Sequence, residues 1–121
     1  MLLADDEENQ LRVMERFLRN VGYDVLSARD GPQALEIYRR HHDAIIVAVL
    51  DFGLPKVSGW ETYRAMRAID PTLMVLFASG YVAPELKDTA DADGSVDVVK
   101  KPYAPEELIA KIDAMLERSP R

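Results

Sequence analysis

The sequence predicts an α/β protein of the doubly wound kind, a five-stranded parallel sheet with helices on both faces. Three observations predict it. Short apolar runs alternate five times with stretches whose apolar residues recur at three- and four-residue spacing. The connections between them are short, so each helix returns the chain to a parallel strand by a right-handed crossover. Two of the runs, 46–50 and 73–78, are apolar at every position, as strands covered on both faces are.

The first run, residues 2–4, ends in the acidic cluster Asp5, Asp6, Glu7 and Glu8. From Asn9 onward, Leu11, Met14, Phe17, Leu18 and Val21 mark the inner face of an amphipathic helix, with Arg12, Glu15, Arg16 and Arg19 between them. Gly22 stops it as a C-terminal cap. Residues 23–28 read as the second strand. Asp30 and Gln33 then offer an N-cap and its capping-box partner for a helix running through Ala34, Leu35, Ile37 and Tyr38 to Arg40.

The third strand, 46–50, terminates in Asp51 and is followed by the loop formers Gly53, Pro55, Ser58 and Gly59. Ser58 and Glu61 repeat the capping-box pattern, and Trp60, Tyr63, Met66 and Ile69 fall on the inner side of the third helix. Asp70-Pro71 ends it. The fourth strand, 73–78, runs into Ser79-Gly80. A weaker fourth helix spans about 84–90, and Gly94 turns the chain into the last strand, 96–100. After Lys101-Pro102, Pro105 suits the first turn of a helix carrying Leu108, Ile109, Ile112, Met115 and Leu116.

A chain of 121 residues with 48% hydrophobic content is one domain with a real core. Residues 1–118 are assigned to it and residues 119–121 to the start of a linker or tail, as in a domain cut from a longer protein. The absence of cysteine removes disulfides, thiolate metal sites and cysteine nucleophiles. A formal charge of -6 with scattered basic residues argues against a nucleic-acid surface on this domain. The longest apolar run, 44–50, is too short to span a bilayer, which leaves a cytoplasmic protein with no membrane partner as the default.

In a parallel doubly wound sheet every strand's carboxyl end points to one edge. Asp5 and Asp6, Asp51, Ser79 and Lys101 should therefore converge although they are far apart in sequence. Three carboxylates in one cleft repel one another, and a hard divalent cation with oxygen ligands resolves the repulsion; Mg²⁺ fits. Beside a lysine ammonium, such a cation makes a place for a phosphoryl dianion. Asp51 is then positioned to attack phosphorus as a carboxylate nucleophile, giving an aspartyl phosphate. The Ser79 hydroxyl is suited to bond the new phosphoryl oxygen.

Asp5-Asp6-Glu7, Asp51 with Pro55 and Gly59, Ser79-Gly80 and Lys101-Pro102-Tyr103, in this order and at these strand ends, resemble a response-regulator receiver domain of two-component signalling along the whole chain. The resemblance implies the flavodoxin-like strand order 2-1-3-4-5 with five helices. It implies Asp51 as the phosphorylated residue, Asp6 as a direct metal ligand and Asp5 as the outer acid acting through water. Gly53 matches the position whose carbonyl coordinates Mg²⁺, Lys101 the phosphoryl-binding lysine, and Ser79 the switch hydroxyl. The partner it implies is a histidine kinase or histidine phosphotransfer domain. The fourth helix, fifth strand and fifth helix form the candidate face for a homodimer on phosphorylation.

The wording around Asp51, Ser79 and Lys101 is closer to receivers of hybrid histidine kinases. One position departs from the family: Val98 stands where an aromatic switch residue is usual, so readout falls to Tyr103, to loop movement, or to a relay role. Tyr81 is expected to shield the acyl phosphate.

Two other readings stay open. A Mg²⁺-dependent phosphatase of the haloacid-dehalogenase type uses the same parts, but it places the nucleophile and a second acid after the first strand. Here the acidic pair comes first and Gly53 occupies the second acid's place, so self-phosphorylation and slow self-dephosphorylation are expected in place of enzymatic turnover. A degenerate binding module would not need the intact acidic, serine and lysine positions. The Asp51-Phe52-Gly53 tripeptide looks like a kinase motif, but the other kinase elements are missing. His41 and His42 read as solvated residues at a helix end.

Overall fold

The computed structural model describes residues 1–118, so the expected linker at 119–121 lies outside the described residues. Five strands, β1 (Leu2–Ala4), β2 (Leu26–Ala28), β3 (Val47–Asp51), β4 (Met74–Ser79) and β5 (Val96–Lys100), form one parallel sheet in the order 2-1-3-4-5. Five helices connect and cover them: α1 (Glu8–Asn20), α2 (Gly31–His41), α3 (Gly59–Ile69), α4 (Pro84–Ala92) and α5 (Pro105–Glu117). A short 3₁₀ turn, His42–Ala44, follows α2 and has no counterpart in the sequence pattern.

Alternation along the strands divides the core into two layers. Leu2, Ala4, Ala48, Leu50, Val75 and Phe77 face α2, α3 and α4, meeting Ala34, Tyr38, Met66 and Leu86. Leu3, Val47, Val49, Met74, Leu76 and Ala78 face α1 and α5, meeting Leu11, Met14, Leu18, Leu108, Ile112 and Met115. The central strands β3 and β4 are buried at every residue, which is why residues 47–50 and 74–78 are apolar throughout, whereas Ile46, expected to open the third strand, lies ahead of β3 and is exposed.

The helix ends follow the expected chemistry. Asp30 Oδ1 accepts from the Gln33 amide at 2.7 Å, and Ser58 Oγ accepts from the Glu61 amide at 3.2 Å. Gln33 closes its side of the box on the Arg29 amide instead of the capping residue's own. Gly22 takes a φ of 100° just past α1, a left-handed conformation suited to glycine.

Several sequence expectations are corrected. The buried stripe of α1 is Leu11, Met14 and Leu18, while Phe17 and Val21 are exposed beside Val13. Only the sheet and α5 cover this helix, and they reach one narrow stripe of it. Ile69, at the end of α3, is also exposed. The second strand contains Leu26–Ala28 alone, because residues 23–25 lie outside the ladder that β1 provides.

Candidate acceptor site at the carboxyl edge of the sheet

The end of each strand fixes one functional side chain. Asp5 follows β1, and its amide is tied to the Ala28 carbonyl at 3.1 Å. Asp51 is the last residue of β3 and pairs with Ala78, while Ser79 closes β4 opposite Lys100. The Lys101 amide donates to the Ser79 carbonyl at 2.8 Å, and the following Lys101–Pro102 bond is cis. These backbone constraints bring the Lys101 ammonium to 3.1 Å from Asp51 Oδ2 and 3.6 Å from Asp5 Oδ2.

Asp5, Asp6 and Asp51 each offer a carboxylate oxygen within 4.8 Å of the others. Asp5 is 4% and Asp51 9% exposed, whereas Asp6 faces solvent. Asp5 Oδ1 accepts from the Glu7 amide at 2.9 Å, and Asp51 Oδ1 from the Gly53 amide at 3.1 Å. Burial pushes the Asp5 carboxyl above the ordinary range, aided by the charges of Asp51 and Asp6, against the Glu7 amide and Lys101. Burial works to lower the Lys101 ammonium, but the Asp51 hydrogen bond and the charges of Asp5 and Asp51 outweigh it and raise its pKa. Two of the three carboxylates, Asp5 and Asp51, thus share the Lys101 ammonium. A compact set of hard oxygen donors with surplus negative charge fits a Mg²⁺ ion.

The loop behind Asp51 is held by two glycines. A Cβ at Gly59 would lie 2.3 Å from the Asp51 carbonyl oxygen, so only glycine lets α3 start against the acceptor's backbone. A Cβ at Gly31 would lie 2.2 Å from the Val57 carbonyl oxygen, so α2 and the loop also meet without side-chain clearance. Lys56, at φ 69°, bridges the same junction with an ion pair to Asp30 at 3.3 Å. The sequence showed Gly59 as a motif residue but gave no sign of the Gly31 contact. At Gly53 a Cβ would reach Asp51 Oδ1 only at 4.0 Å, an ordinary contact, so the site does not demand glycine there.

Ser79 is buried, and its hydroxyl donates to the Tyr81 carbonyl while accepting from the Tyr81 amide at 3.3 Å. The Tyr81 ring itself is 72% exposed. Val98 does not lie at the edge; it packs half-buried in the α2–α3–α4 layer opposite Phe77. Tyr103 shares a hydrogen bond with Gln10, and burial raises its phenol. Together with Glu7, Lys101 and Pro102 these two line an open groove beside the carboxylates. His41 and His42 are remote from this edge: they end α2 and open the 3₁₀ turn.

Comparison with known proteins gives a consistent result. The family model described as "Response regulator receiver domain" matches residues 1–113. A probable transcriptional regulator, ycf27, of Porphyridium aerugineum is 36% identical over 119 residues, covering 98% of this chain and 48% of its own length. The chain spans about half the length of that regulator and its similar counterparts. The response regulator receiver protein CpdR of Brucella abortus is 30% identical over 116 residues, covering 96% of this chain and 95% of its own. Among solved structures, the receiver domain of the hybrid histidine kinase CckA superposes with a TM-score of 0.81 at 28% identity, covering 95% of this chain and 96% of its own.

Proposed function

The chain belongs to the response regulator receiver domain family, and on that premise we propose that it is a phosphoacceptor in a two-component phosphorelay. It takes a phosphoryl group from a partner's phosphohistidine onto Asp51. The observation that carries this reading is the Lys101 ammonium at 3.1 Å from Asp51 Oδ2, with the oxygens of Asp5, Asp6 and Asp51 gathered within 4.8 Å.

Asp5, Asp6 and Asp51 would hold the cation, with the Gly53 carbonyl as a further oxygen donor. Bound there, Mg²⁺ would supply charge neutralisation for the carboxylates and the phosphoryl oxygens. In the transfer an Asp51 carboxylate oxygen forms the new bond to phosphorus as the donor's P–N bond breaks. The bonding pair stays on the imidazole nitrogen, which takes up a proton. Lys101 holds a phosphoryl oxygen and stabilises charge as it develops. Ser79 exchanges the Tyr81 carbonyl for a phosphoryl oxygen, which moves the chain leading into α4.

The chemistry is self-phosphorylation and slow self-dephosphorylation, since Gly53 stands two residues after Asp51, in the place of the acid that would drive rapid hydrolysis. The partner is a histidine kinase or histidine phosphotransfer domain, and the face formed by α4, β5 and α5 is the candidate homodimer surface after phosphorylation. A hybrid histidine kinase, suggested by the loop wording, and a regulator resembling ycf27 would both use this chemistry. Among the described residues, no helix is long and apolar enough to cross a membrane.

Intact-mass measurement tests the reading. The protein with Mg²⁺ and a small acyl-phosphate donor should gain one phosphoryl mass, and the gain should vanish in Asp51→Asn and on chelating the metal. A gain that persists in Asp51→Asn would overturn the assignment of the acceptor.

A further inference from the structure

We infer that the state of the acceptor edge is read out through a cluster of rings on the α3 side of the sheet and delivered to the groove between α3 and α4. The inference rests on the phosphoacceptor reading above and names the route by which that site is felt elsewhere. Val98 offers no ring. Its cross-strand neighbour on β4, however, is Phe77, which is fully buried in the same layer.

Phe77 is the hub of four rings. Phe52 meets it edge-on with centroids 5.9 Å apart, Tyr63 edge-on at 5.3 Å, and Trp60 nearly parallel at 6.1 Å; Trp60 and Tyr63 touch each other at 5.3 Å. Three of the four rings are linked by the backbone to a group the phosphoryl would engage. Phe52 follows Asp51 directly and is bonded through its amide to the Ala78 carbonyl at 2.9 Å. Phe77 lies two residues before Ser79. Trp60 follows Gly59, the residue that rests against the Asp51 carbonyl.

On its far side the cluster reaches α4. Tyr63 carries the Arg67 guanidinium 5.2 Å above its ring, and Arg67 grips Asp93 at 3.0 Å and the Ser95 hydroxyl at 2.6 Å, immediately after α4. Of all five helices α4 is the least anchored: Leu86 is its only buried residue, and no side chain caps its start. Trp60, Tyr63, Arg64, Arg67 and Thr89 line the groove between it and α3. Close-packed rings do not deform continuously, so a displacement of Phe52 or Phe77 has to be taken up by Trp60 and Tyr63. The element free to follow is α4.

Trp60 is the chain's only tryptophan and reports on the cluster directly. Its emission should change when the protein is phosphorylated with Mg²⁺ and an acyl phosphate, and amide exchange in residues 84–92 should change with it. Phe52→Leu, a substitution at a half-buried site, should gain the same phosphoryl mass and yet lose roughly half or more of the emission change. The distance from Trp60 to the acceptor is the same in both proteins, so a direct effect of the phosphoryl charge on the indole would survive the substitution. A wild-type emission unmoved at full phosphoryl mass, or a full-sized change in Phe52→Leu, overturns the inference. Absence of the mass gain is a separate result on the same sample; it overturns the acceptor reading and this inference together.

Discussion

The two edges of the sheet handle charge in opposite ways. At the amino edge, Arg67 donates to the Leu73 carbonyl at 2.8 Å, to Asp93 at 3.0 Å and to the Ser95 hydroxyl at 2.6 Å. Asp93 in turn accepts from the Ser95 amide at 2.9 Å and hydroxyl at 2.6 Å. Burial acts to raise the Asp93 carboxyl, but these hydrogen bonds and the Arg67 charge outweigh it and hold it below the ordinary range. At the carboxyl edge, Asp5 and Asp51 share the ammonium of Lys101, Asp6 adds a third carboxylate beside them, and Asp5 is raised. The Arg67–Asp93 pairing at the amino edge is met within the chain; the carboxyl edge is left short of positive charge, as the phosphoacceptor reading proposed above requires.

The comparison breaks most visibly at Lys101. If the carboxyl edge is built for phosphoryl chemistry, Lys101→Met should slow phosphorylation from an acyl phosphate by roughly 10²-fold or more, the scale of losing one preorganised charge donor. The time course of mass gain measures it, and an unchanged rate would remove Lys101 from the chemistry.

At the opposite edge the expected loss is stability. Arg67→Ala takes the donor from the Leu73 carbonyl and leaves the Asp93 carboxylate to Ser95, and should cost about 2–3 kcal/mol by urea denaturation. Because the damage lies at the amino edge, the variant should still gain the full phosphoryl mass. Loss of that gain with the fold intact would show that the edges are not separable in this way.

A smaller effect carries the opposite sign. Asp51→Asn takes one of three like charges out of the cleft and leaves the Asp5–Lys101 pair in place. In metal-free buffer it should raise stability by about 1 kcal/mol, the scale of relieving a like-charge contact near the surface. If the folded cleft holds the ion as proposed, millimolar Mg²⁺ should then stabilise the wild type more than the variant. A variant less stable than the wild type without metal would mean that the Lys101 bond to Asp51 outweighs the repulsion.

Much of the carboxyl edge was legible because strand ends are legible. The apolar runs stop at Asp5, Asp51 and Ser79, Lys101 follows the last strand, and parallel topology does the rest, bringing these positions to one edge. The direction of the Ser79 hydroxyl was not legible, since it depends on the turn at Tyr81. The amino edge was hidden for a different reason. Arg67 reads as one more solvated helix residue, and its partners Asp93 and Ser95 lie 26 and 28 positions away in an unremarkable turn. Periodicity also overcounted the buried face of α1, because a sequence marks where apolar residues fall but not how wide a face its neighbours cover. Phe17 and Val21 are the cost of that reading.

The smallest effect belongs to another pairing near the amino edge. Tyr23, which lines a crevice there with Met1, Ile46 and Val47, hydrogen-bonds through its hydroxyl to Asp113 on α5. Burial, with the Asp113 bond and charge adding to it, pushes its phenol from 10.0 up to about 12. A phenol whose folded pKa is raised contributes stability that is complete below its unfolded value and is lost as pH climbs through the folded one. The contribution should therefore fade between pH 10.0 and about 12. Alkaline absorbance titration of the folded protein should show a late-ionising tyrosine, and Asp113→Asn should move that step to lower pH without touching phosphorylation. Superimposable titrations of the two proteins would mean that burial alone holds Tyr23 neutral, and the amino edge would then owe less to its paired polar groups than Arg67 and Asp93 suggest.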